Sequence, residues 1–520
     1  MKITILETSD MHGYVSPTDY AGGTDLAIGA AKVSTKIKEL QAQAEGPVIT
    51  IENGDFVQGS PLSYYIARNQ ASARALTNVI NQMNYDVQLL GNHEFNYGKE
   101  YLQEVVSQYH APILAANILN EQGQPYFGQA YTIIEKEGIK IAVLGLTTQY
   151  IPHWEQPATI RGMRFESAVH AAKKYVPELQ QVADLVIVCY HGGFERDLET
   201  GQPTELLTGE NEGYELLQTI PGIDALVTGH QHREIAAIVN GVPVIQPGYR
   251  GSHVGEIQLT IEKSGDQTVV ADCQARLHSV EAMAPDLQIL SLIQATEAEL
   301  EEWLDQPLGQ VQGNMKITDP MQARLFEHPY VEFINQVQLT ASGASISATA
   351  LFNNEGKGFD SIITMREVMT NYVYPNTLAV VKITGAELRA ALEQTAGYLA
   401  VDKGQMVFNP DFLKPKPQYY DYDMYEGIDY TIDVSQPIGQ RITRLLFCDK
   451  AITQEQELEV VLNQYRAVGG GNYHMFKPEK IVREIQTDMT ELIADYLKQH
   501  PVIQAEANHN FQVIFGGSDS

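Results

Sequence analysis

The chain has 520 residues, too many for one ordinary hydrophobic core, so two domains are expected. Hydrophobic residues make up 44% and charged residues 19%, as in a globular protein. A formal net charge of −30 argues against a nucleic-acid polymer as partner, because a phosphate backbone requires a basic surface. The three cysteines are far apart, which argues against a disulfide framework or a Cys-rich zinc site.

The amino terminus leaves no room for an export signal, because the first predicted strand begins one residue after Met1. No apolar run approaches the roughly 20 residues that a membrane-spanning helix needs. We therefore expect a soluble cytoplasmic protein without a membrane partner. A monomer is expected, and a dimer stays open.

Six short apolar runs in the first half, bounded by glycine or polar residues, indicate buried strands. They are Lys2–Thr8, Pro47–Ile51, Asp86–Leu90, Ile139–Leu146, Asp184–Cys189 and Asp224–Val227. Helical stretches alternate with them, the first with an apolar face from Leu26 to Leu40. This alternation predicts an α/β fold in layers. Antiparallel strands are expected to close the unit, at Gly241–Gln246, His253–Glu262 and Thr268–Leu277.

The second half begins with a change of pattern. Leu287–Leu304 has helical spacing and follows Asp286, a suitable N-cap, so we expect a linker helix. Further on, Thr377–Thr384 predicts a strand, Gly385–Leu399 a helix and Asn409–Tyr422 an ordered loop. The expected division is a first domain over 1–282, a linker helix over 283–306 and an α+β second domain over 307–520.

Five of the six apolar runs end in residues that can bind a metal ion. These residues are Asp10, His12, Asp55, Asn92, His191, His230 and His232. Ligands at the carboxyl ends of strands suit a site on the rim of a sheet. Their mixed oxygen and nitrogen donors favour Mn, Zn, Co or Fe over copper–thiolate or iron–sulfur chemistry. Seven ligands exceed the three that one catalytic ion usually takes, so we expect two divalent ions sharing a carboxylate.

Any one of these residues alone is more often a cap or a loop residue, and Asn92 alone is more often a turn residue. The order of the motifs carries the prediction: Asp-x-His, Gly-Asp, Gly-Asn-His-Glu, His, and Gly-His-x-His. Five of the 14 histidines fall in this pattern. The ordered set resembles the calcineurin-like metallophosphoesterase superfamily.

The resemblance implies a four-layer αββα sandwich with two ions at the strand ends. It assigns Asp10, His12 and His232 to one ion, Asn92, His191 and His230 to the other, and Asp55 to both. It also implies that His93 binds no ion but faces the phosphate, where it stabilises the transition state or protonates the leaving oxygen.

With its second domain, the whole chain resembles the bacterial 5′-nucleotidase family, in which two aromatic rings hold the nucleotide base. The matching segments are Tyr374-Pro375-Asn376 and Asn463–Gly471. The chain has 27 tyrosines, so these two count only because of their motifs. The resemblance implies that Tyr374 and Tyr465 stack on the base, since stacking contributes about 1–3 kcal/mol with little base preference. Asn376 is expected to hydrogen-bond the base edge.

Two departures point to one branch of that family. Asn96 stands where 5′-nucleotidases usually have Asp, and Leu351–Gly356 lacks the expected Arg. Both features resemble the 2′,3′-cyclic-nucleotide 2′-phosphodiesterase/3′-nucleotidase branch. We therefore expect hydrolysis of 2′,3′-cyclic nucleotides to 3′-monophosphates and then to nucleosides. The alternatives are a 5′-nucleotidase, a dinucleotide or cyclic-dinucleotide phosphodiesterase and, more remotely, a non-catalytic nucleotide-binding protein.

Overall fold

The computed structural model describes residues 1–70, 72–204, 207–264, 267–374, 376–414, 416–485 and 487–516. The chain forms two compact units, Met1–Leu300 and Glu301–Ser520. No helix among the described residues is both long and apolar enough to cross a bilayer.

The first unit is built on two six-stranded sheets. Its strands are β1 (Lys2–Thr8), β2 (Val48–Glu52), β3 (Val87–Leu89), β4 (Ile113–Leu114), β5 (Ile118–Leu119), β6 (Tyr131–Lys136), β7 (Ile139–Thr147), β8 (Arg164–Phe165), β9 (Leu185–His191), β10 (Ala225–Thr228), β11 (Glu234–Val239), β12 (Val242–Pro247), β13 (His253–Ser264) and β14 (Gln267–Ser279). Its helices are α1 (Ala30–Gln43), α2 (Pro61–Asn69), α3 (Arg74–Met83), α4 (Lys99–Gln108), α5 (Ala168–Leu179) and α6 (Gly213–Thr219).

The two sheets have orders β14-β13-β1-β2-β3-β4 and β11-β12-β10-β9-β7-β6. Within each, the central strands are parallel: β1 to β4 in one, and β7, β9, β10 and β12 in the other. All seven residues of β9 are buried, as expected for a parallel strand covered on both faces. The parallel strands explain why several polar strand ends meet at one edge.

A single apolar layer lies between the sheets. Ile5 and Ile51 from the first sheet share this layer with Val143 and Ile187 from the second. The other face of the second sheet packs against α5 and α6, including Val176 and Leu216. Helices outside two face-to-face sheets make the αββα sandwich that the motifs predicted.

Two local expectations were wrong. Leu26 does not belong to α1, which begins at Ala30, because Gly29 has a φ of +97° and ends the preceding loop. The predicted strand at Gly241–Gln246 is β12, which pairs parallel with β10 as well as antiparallel with β11. It extends the second sheet, whereas β13 and β14 extend the first.

Helix α7 (Leu287–Leu304) has the predicted bounds. The Asp286 carboxylate accepts a hydrogen bond from the Gln288 amide at 2.9 Å, so Asp286 caps the helix. We propose that this helix is the linker between a domain over 1–282 and one over 307–520.

The second unit contains smaller sheets. Its strands are β15 (Pro307–Gln312), β16 (Met315–Lys316), β17 (Ile346–Ala350), β18 (Gly358–Phe359), β19 (Ile362–Thr364), β20 (Leu378–Thr384), β21 (Leu399–Asp402), β22 (Gln405–Phe408), β23 (Asp423–Glu426), β24 (Asp429–Asp433), β25 (Ile442–Phe447), β26 (Lys450–Ala451), β27 (Glu457–Asn463), β28 (Ile481–Ile485), β29 (Val502–Gln504) and β30 (Phe511–Ile514). Its helices are α8 (Pro320–Leu325), α9 (Pro329–Ser342), α10 (Met365–Asn371), α11 (Gly385–Gly397), α12 (Gln464–Ala467) and α13 (Met489–Gln499). The largest sheet has the order β23-β17-β27-β20-β28.

Candidate active site

The predicted metal ligands lie at or just after the carboxyl ends of parallel strands. Asp10 and His12 follow β1, Asp55 follows β2, Asn92 follows β3, His191 ends β9, and His230 and His232 follow β10. The fold brings them into two groups, each with candidate ligand atoms within 4.8 Å of one another. One group is Asp10, His12 and His232, and the other is Asp55, His191 and His230. Asn92 joins the second group through its side-chain oxygen, 2.8 Å from His230 Nδ1.

Five of these seven residues have a left-handed backbone. They are Asp10, His12, Asp55, His230 and His232, with φ between +51° and +69°. Such a conformation costs about 1–3 kcal/mol for a residue other than glycine and persists only where the surroundings enforce it. Here the loops hold one another: the His12 amide donates to the Asp55 carbonyl at 2.9 Å, and the Asp10 amide to the Gly54 carbonyl at 3.0 Å. The strain is therefore concentrated where the ligand candidates converge.

The motif glycines allow close approach at this point. A Cβ atom on Gly91 would lie 2.2 Å from Asp55 Oδ1 and 2.6 Å from the His191 ring. A Cβ on Gly229 would lie 2.2 Å from Ser9 Oγ and 2.7 Å from Asp10 Oδ2. Any larger residue at either position would push the carboxylates and imidazoles apart.

Glu94, the last residue of the Gly-Asn-His-Glu motif, braces two of the loops. Its buried carboxylate accepts hydrogen bonds from the amides of Gly91 at 2.6 Å, Asp55 at 2.8 Å, Phe56 at 2.7 Å and Val57 at 3.3 Å. Burial and the Asp55 carboxylate raise the pKa of Glu94 to about 7. The sequence pattern gave Glu94 no role, because its partners are backbone amides contributed by a distant loop.

The contact between His191 and Asp55 is the clearest sign that the site takes up positive charge. The Asn53 carbonyl lies 2.6 Å from His191 Nδ1, so Nδ1 carries the hydrogen and Nε2 of the neutral ring carries a lone pair. Nε2 lies 3.1 Å from Asp55 Oδ2, yet neither atom forms a hydrogen bond and both residues are 0% exposed. With the ring neutral, two buried acceptor atoms would face each other, so this contact requires either a metal cation or a proton on Nε2.

Two further contacts repeat this arrangement. Glu210 Oε1 lies 3.0 Å from His230 Nε2 and accepts a hydrogen bond from it. Nδ1 of the same ring therefore presents a lone pair to the Asn92 oxygen. The Gln58 carbonyl lies 2.9 Å from His12 Nδ1, so His12 Nε2 presents its lone pair to His232 Nε2, also at 2.9 Å. The donor set therefore fits divalent ions held by imidazole nitrogens and carboxylate or amide oxygens.

A proton competes with a cation at His191. Burial lowers the pKa of His191, but the Asp55 carboxylate raises it more strongly, to about 10. Burial raises the pKa of Asp55, but His191 and His93 bring it well below its usual value. In the ion-free protein, His191 therefore carries a proton that a divalent ion must displace.

His93 lies beside the second group without joining it. Its amide donates to Asp55 Oδ1 at 2.7 Å, and its ring is 5.2 Å from the His12 ring. Its Nδ1 lies 2.6 Å from Asn96 Oδ1, and Asn96 Nδ2 donates to Glu155 Oε1 at 2.6 Å. Glu155 thus orients the Asn96 amide, whose oxygen keeps the hydrogen of His93 on Nδ1. Nε2 of His93, which has no hydrogen-bond partner among the described residues, remains for a substrate.

The sequence analysis did not single out Glu155 and Glu210. Glu155 lies far along the chain from Asn96, and burial raises its pKa to about 7 while Asn96 lowers it. No spacing rule connects either carboxylate with its partner. Paired apolar runs and motif order identify strand ends, but they do not identify residues that reach the site from separate loops.

The second unit brings the two predicted aromatic segments to one end of a sheet. Strands β20 and β27 pair antiparallel with Leu378 opposite Asn463. The Gln464 amide donates to the Thr377 carbonyl at 2.9 Å, so Tyr374 and Tyr465 flank the same strand ends. Both tyrosines are half-buried, as is Asn376. Pro375, within the first segment, lies outside the described residues.

Each tyrosine has its own support. The Tyr374 ring lies 5.3 Å from the Phe352 ring at an interplanar angle of 78°. Gly470 leaves room for Tyr465, since a Cβ there would lie 2.6 Å from the Tyr465 ring. Arg466 is buried and pairs with Asp421 at 2.9 Å and Asp423 at 2.7 Å, which fixes the turn after Tyr465.

Arg324 reaches the segment in which no Arg was found by sequence. Its guanidinium donates to the Leu351 carbonyl at 2.9 Å, the Asn353 carbonyl at 3.2 Å and Asn354 Oδ1 at 2.8 Å. Arg324 is 1% exposed, and burial lowers its pKa to about 10. Arg324 thus stabilises this loop from α8, although it is not part of the Leu351–Gly356 segment.

Residues 3–234 match the calcineurin-like phosphoesterase family, and residues 307–478 match the 5′-nucleotidase C-terminal domain. A crystal structure from Staphylococcus aureus, described as a 5′-nucleotidase, is 37% identical with a TM-score of 0.92, and the match covers 99% of this chain and 100% of that one. Two curated bacterial proteins also match along nearly the whole chain.

The 2′,3′-cyclic-nucleotide 2′-phosphodiesterase/3′-nucleotidase of Salmonella typhimurium is 28% identical, over 90% of this chain and 81% of its own. The trifunctional nucleotide phosphoesterase protein YfkN of Bacillus subtilis is 26% identical over 98% of this chain, which spans only 39% of that protein.

Changing Glu94 to Gln should destabilise the fold by about 1–3 kcal/mol. The new side-chain amide nitrogen would face backbone N–H groups that now donate to the carboxylate, and two donors cannot hydrogen-bond each other. Thermal unfolding should show the melting temperature falling by roughly 2–6 °C. The matched control is Glu100→Gln at an exposed position of α4, for which the shift should be near zero. Equal melting temperatures for the two variants would contradict the bracing role.

Adding Mn²⁺ to the ion-free protein at pH 8 should release about one proton from His191 per chain. The sign follows from the pKa of His191, which Asp55 raises to about 10, so the ring is charged at pH 8 and must be neutral to bind an ion. The release is measured with an indicator dye in weak buffer, and it should disappear above pH 10. Ion binding at pH 8 with no proton release would refute this competition.

Proposed function

Because the chain belongs to the 5′-nucleotidase family of calcineurin-like phosphoesterases, we propose that it hydrolyses nucleoside 2′,3′-cyclic phosphates to 3′-monophosphates and then to nucleosides and phosphate. One observation supports a metal-dependent hydrolase above the others. His191 Nε2 and Asp55 Oδ2 lie close together, buried and without hydrogen bonds, and His93 lies beside them. The choice of substrate is supported by the name of the Salmonella relative and by Asn96 in place of Asp.

The chain binds divalent metal ions, as calcineurin-like phosphoesterases do. Our proposal is two ions, of Mn, Zn, Co or Fe, with Asp10, His12 and His232 at one and Asn92, His191 and His230 at the other. Asp55 would be shared by both ions. When bound, such ions lower the pKa of a water molecule and withdraw charge from phosphoryl oxygens.

In the reaction, a water oxygen adds to phosphorus and the bond from phosphorus to the ribose 2′ oxygen breaks. With Nδ1–H held by Asn96, a His93 ring that also carries a proton on Nε2 gives that proton to the departing oxygen or stabilises the charge that develops on the phosphoryl group. Asn96 and Glu155 hold the His93 ring in one orientation through hydrogen bonds of 2.6 Å each. The remaining site residues orient the phosphate and exclude bulk water.

The nucleotide base binds in the second unit. Tyr374 and Tyr465 stack on its two faces, and Asn376 hydrogen-bonds its edge. The support for this assignment is the pairing of β20 with β27, which brings both tyrosine segments to the same strand ends. Stacking tolerates any base, so we expect a weak preference among bases.

The substrate assignment is tested with three substrates: 2′,3′-cyclic AMP, 3′-AMP and 5′-AMP. The rate of phosphate release is measured for each, and the formation of 3′-AMP from the cyclic substrate is followed without any added phosphomonoesterase. The Mn²⁺-loaded chain should act on the first two and leave 5′-AMP almost untouched, and EDTA should abolish the activity. A preference for 5′-AMP would keep the hydrolase and replace the substrate class with that of a 5′-nucleotidase, as the description of the Staphylococcus aureus structure suggests.

Changing His93 to Asn should lower kcat by about 10²- to 10⁴-fold while both metal ions stay bound, because the variant loses a general acid but keeps every metal ligand. Changing Asp55 to Asn should remove metal and activity together. Kinetics with metal analysis on the same samples checks both variants. Unchanged turnover in His93→Asn would rule out the role assigned to His93.

Changing Tyr465 to Ala should raise KM by roughly 5- to 150-fold, the equivalent of one stacked base. Tyr465→Phe keeps the ring and serves as the matched control, with KM near that of the unchanged protein. Both variants should retain kcat on a saturating substrate. If Ala and Phe have the same KM, Tyr465 does not hold the base.

A further inference from the structure

Three carboxylates meet in the second unit, outside the residues assigned to catalysis or base binding. Glu327 precedes α9, Glu332 lies in the first turn of that helix, and Glu426 ends β23. Each offers an oxygen that lies within 4.8 Å of the oxygens of the other two. Glu327 and Glu426 are buried, with exposures of 8% and 7%, and Glu332 is half-buried.

Glu327 is the unusual member of this cluster. Its side chain is 3% exposed, and neither carboxylate oxygen forms a hydrogen bond. The backbone of Asn508 and His509 faces it and lowers its pKa, but burial raises the pKa more. The nearest cationic candidate is His509 Nδ1, 3.8 Å away on a side chain that is 78% exposed. A buried carboxylate that faces two others, has both oxygens without a hydrogen bond and has only a distant, exposed histidine as counter-charge needs a ligand.

The other two carboxylates are oriented by neutral donors. Gln336 donates to Glu332 Oε1 at 2.9 Å, which leaves Glu332 Oε2 buried and without a hydrogen bond. Asn508 Nδ2 and the Gly427 amide donate to Glu426 Oε1 at 2.9 and 3.0 Å. No Lys or Arg in the described part of the chain pairs with any of the three. In both carboxylates, amide groups hold one oxygen and leave the other available. Groups in this position around a metal site orient its ligands without binding the ion themselves.

The charge in this cluster is uncompensated by the protein. Burial raises the pKa of Glu332, and burial together with Glu332 raises the pKa of Glu426 to about 7. The three groups must therefore share protons, or they must share a cation. One bound cation satisfies the bare oxygens of Glu327 and neutralises charge on all three carboxylates at once, whereas each shared proton joins only two of them.

We propose that Glu327, Glu332 and Glu426 bind one calcium ion. Oxygen-only ligation by carboxylates favours a hard cation, and the absence of imidazole and thiolate among the three disfavours zinc. Mg²⁺ keeps several water molecules and usually binds through one or two carboxylates, so three convergent carboxylates favour Ca²⁺.

The ion joins three separate parts of the second unit. It connects the turn before α9, the first turn of that helix and the end of β23. Asn508, which holds Glu426, lies between β29 and β30 near the end of the described chain. The site is thus structural and acts on stability rather than on the reaction.

The test is thermal unfolding of the full chain, with Mn²⁺ loaded at the first-unit site, in Ca²⁺-free buffer and in a CaCl₂ series. We expect Ca²⁺ to raise the melting temperature of the unchanged protein by roughly 5 °C. Glu327→Gln should lose this rise and still fold, because the substitution removes one of the repelling charges. The matched control Glu455→Gln, at an exposed position, should keep it.

Calorimetric titration with CaCl₂ supplies a second measurement, with one site per chain in the unchanged protein and none in Glu327→Gln. Glu332→Gln should also lose the site and replaces Glu327→Gln if that variant does not fold. The proposal is overturned if Ca²⁺ leaves the melting temperature unchanged, or if Glu327→Gln responds as strongly as Glu455→Gln. A rise in stability from pH 8 to pH 6 without any Ca²⁺ response would assign the cluster to shared protons instead.

Discussion

The structure of the first unit depends on a buried contact that needs a positive charge, either a metal ion or a proton. Nε2 of His191 and Oδ2 of Asp55 lie 3.1 Å apart, both buried and neither hydrogen-bonded. Divalent cations make such a contact favourable, because both atoms become ligands. The left-handed turns at the strand ends and the bracing carboxylate of Glu94 hold the two side chains in place.

The parallel strands make this strain tolerable. A continuous apolar layer between two sheets fixes the strand ends, so the loops that follow need not be stable alone. Each left-handed residue costs about 1–3 kcal/mol, and the packed strands supply the rigidity that keeps those conformations in place. The candidate ligand atoms therefore lie where the parallel strands end, at the part of the fold that the apolar layer holds in place.

Sequence alone predicted the candidate ligands that directly follow strands, and the fold brings them together. Asp10, Asp55 and His191 each come after an apolar run, so their convergence followed from parallel pairing. Glu155 and Glu210 were not found, because they act through contacts between distant loops. The parallel pairing of β12 was missed because an apolar run does not reveal the direction of its neighbour. The start of α1 was misjudged because Leu26 has helical spacing but precedes Gly29 in the loop.

Anomalous X-ray diffraction at the manganese edge, from crystals grown with Mn²⁺, tests the central claim most directly. The account predicts two peaks: one among Asp10, His12 and His232, the other among Asn92, His191 and His230, with Asp55 touching both. Crystals of the Asp55→Asn variant should lose both peaks. A single peak, or an ordered protein with no ion between His191 and Asp55, would contradict the account.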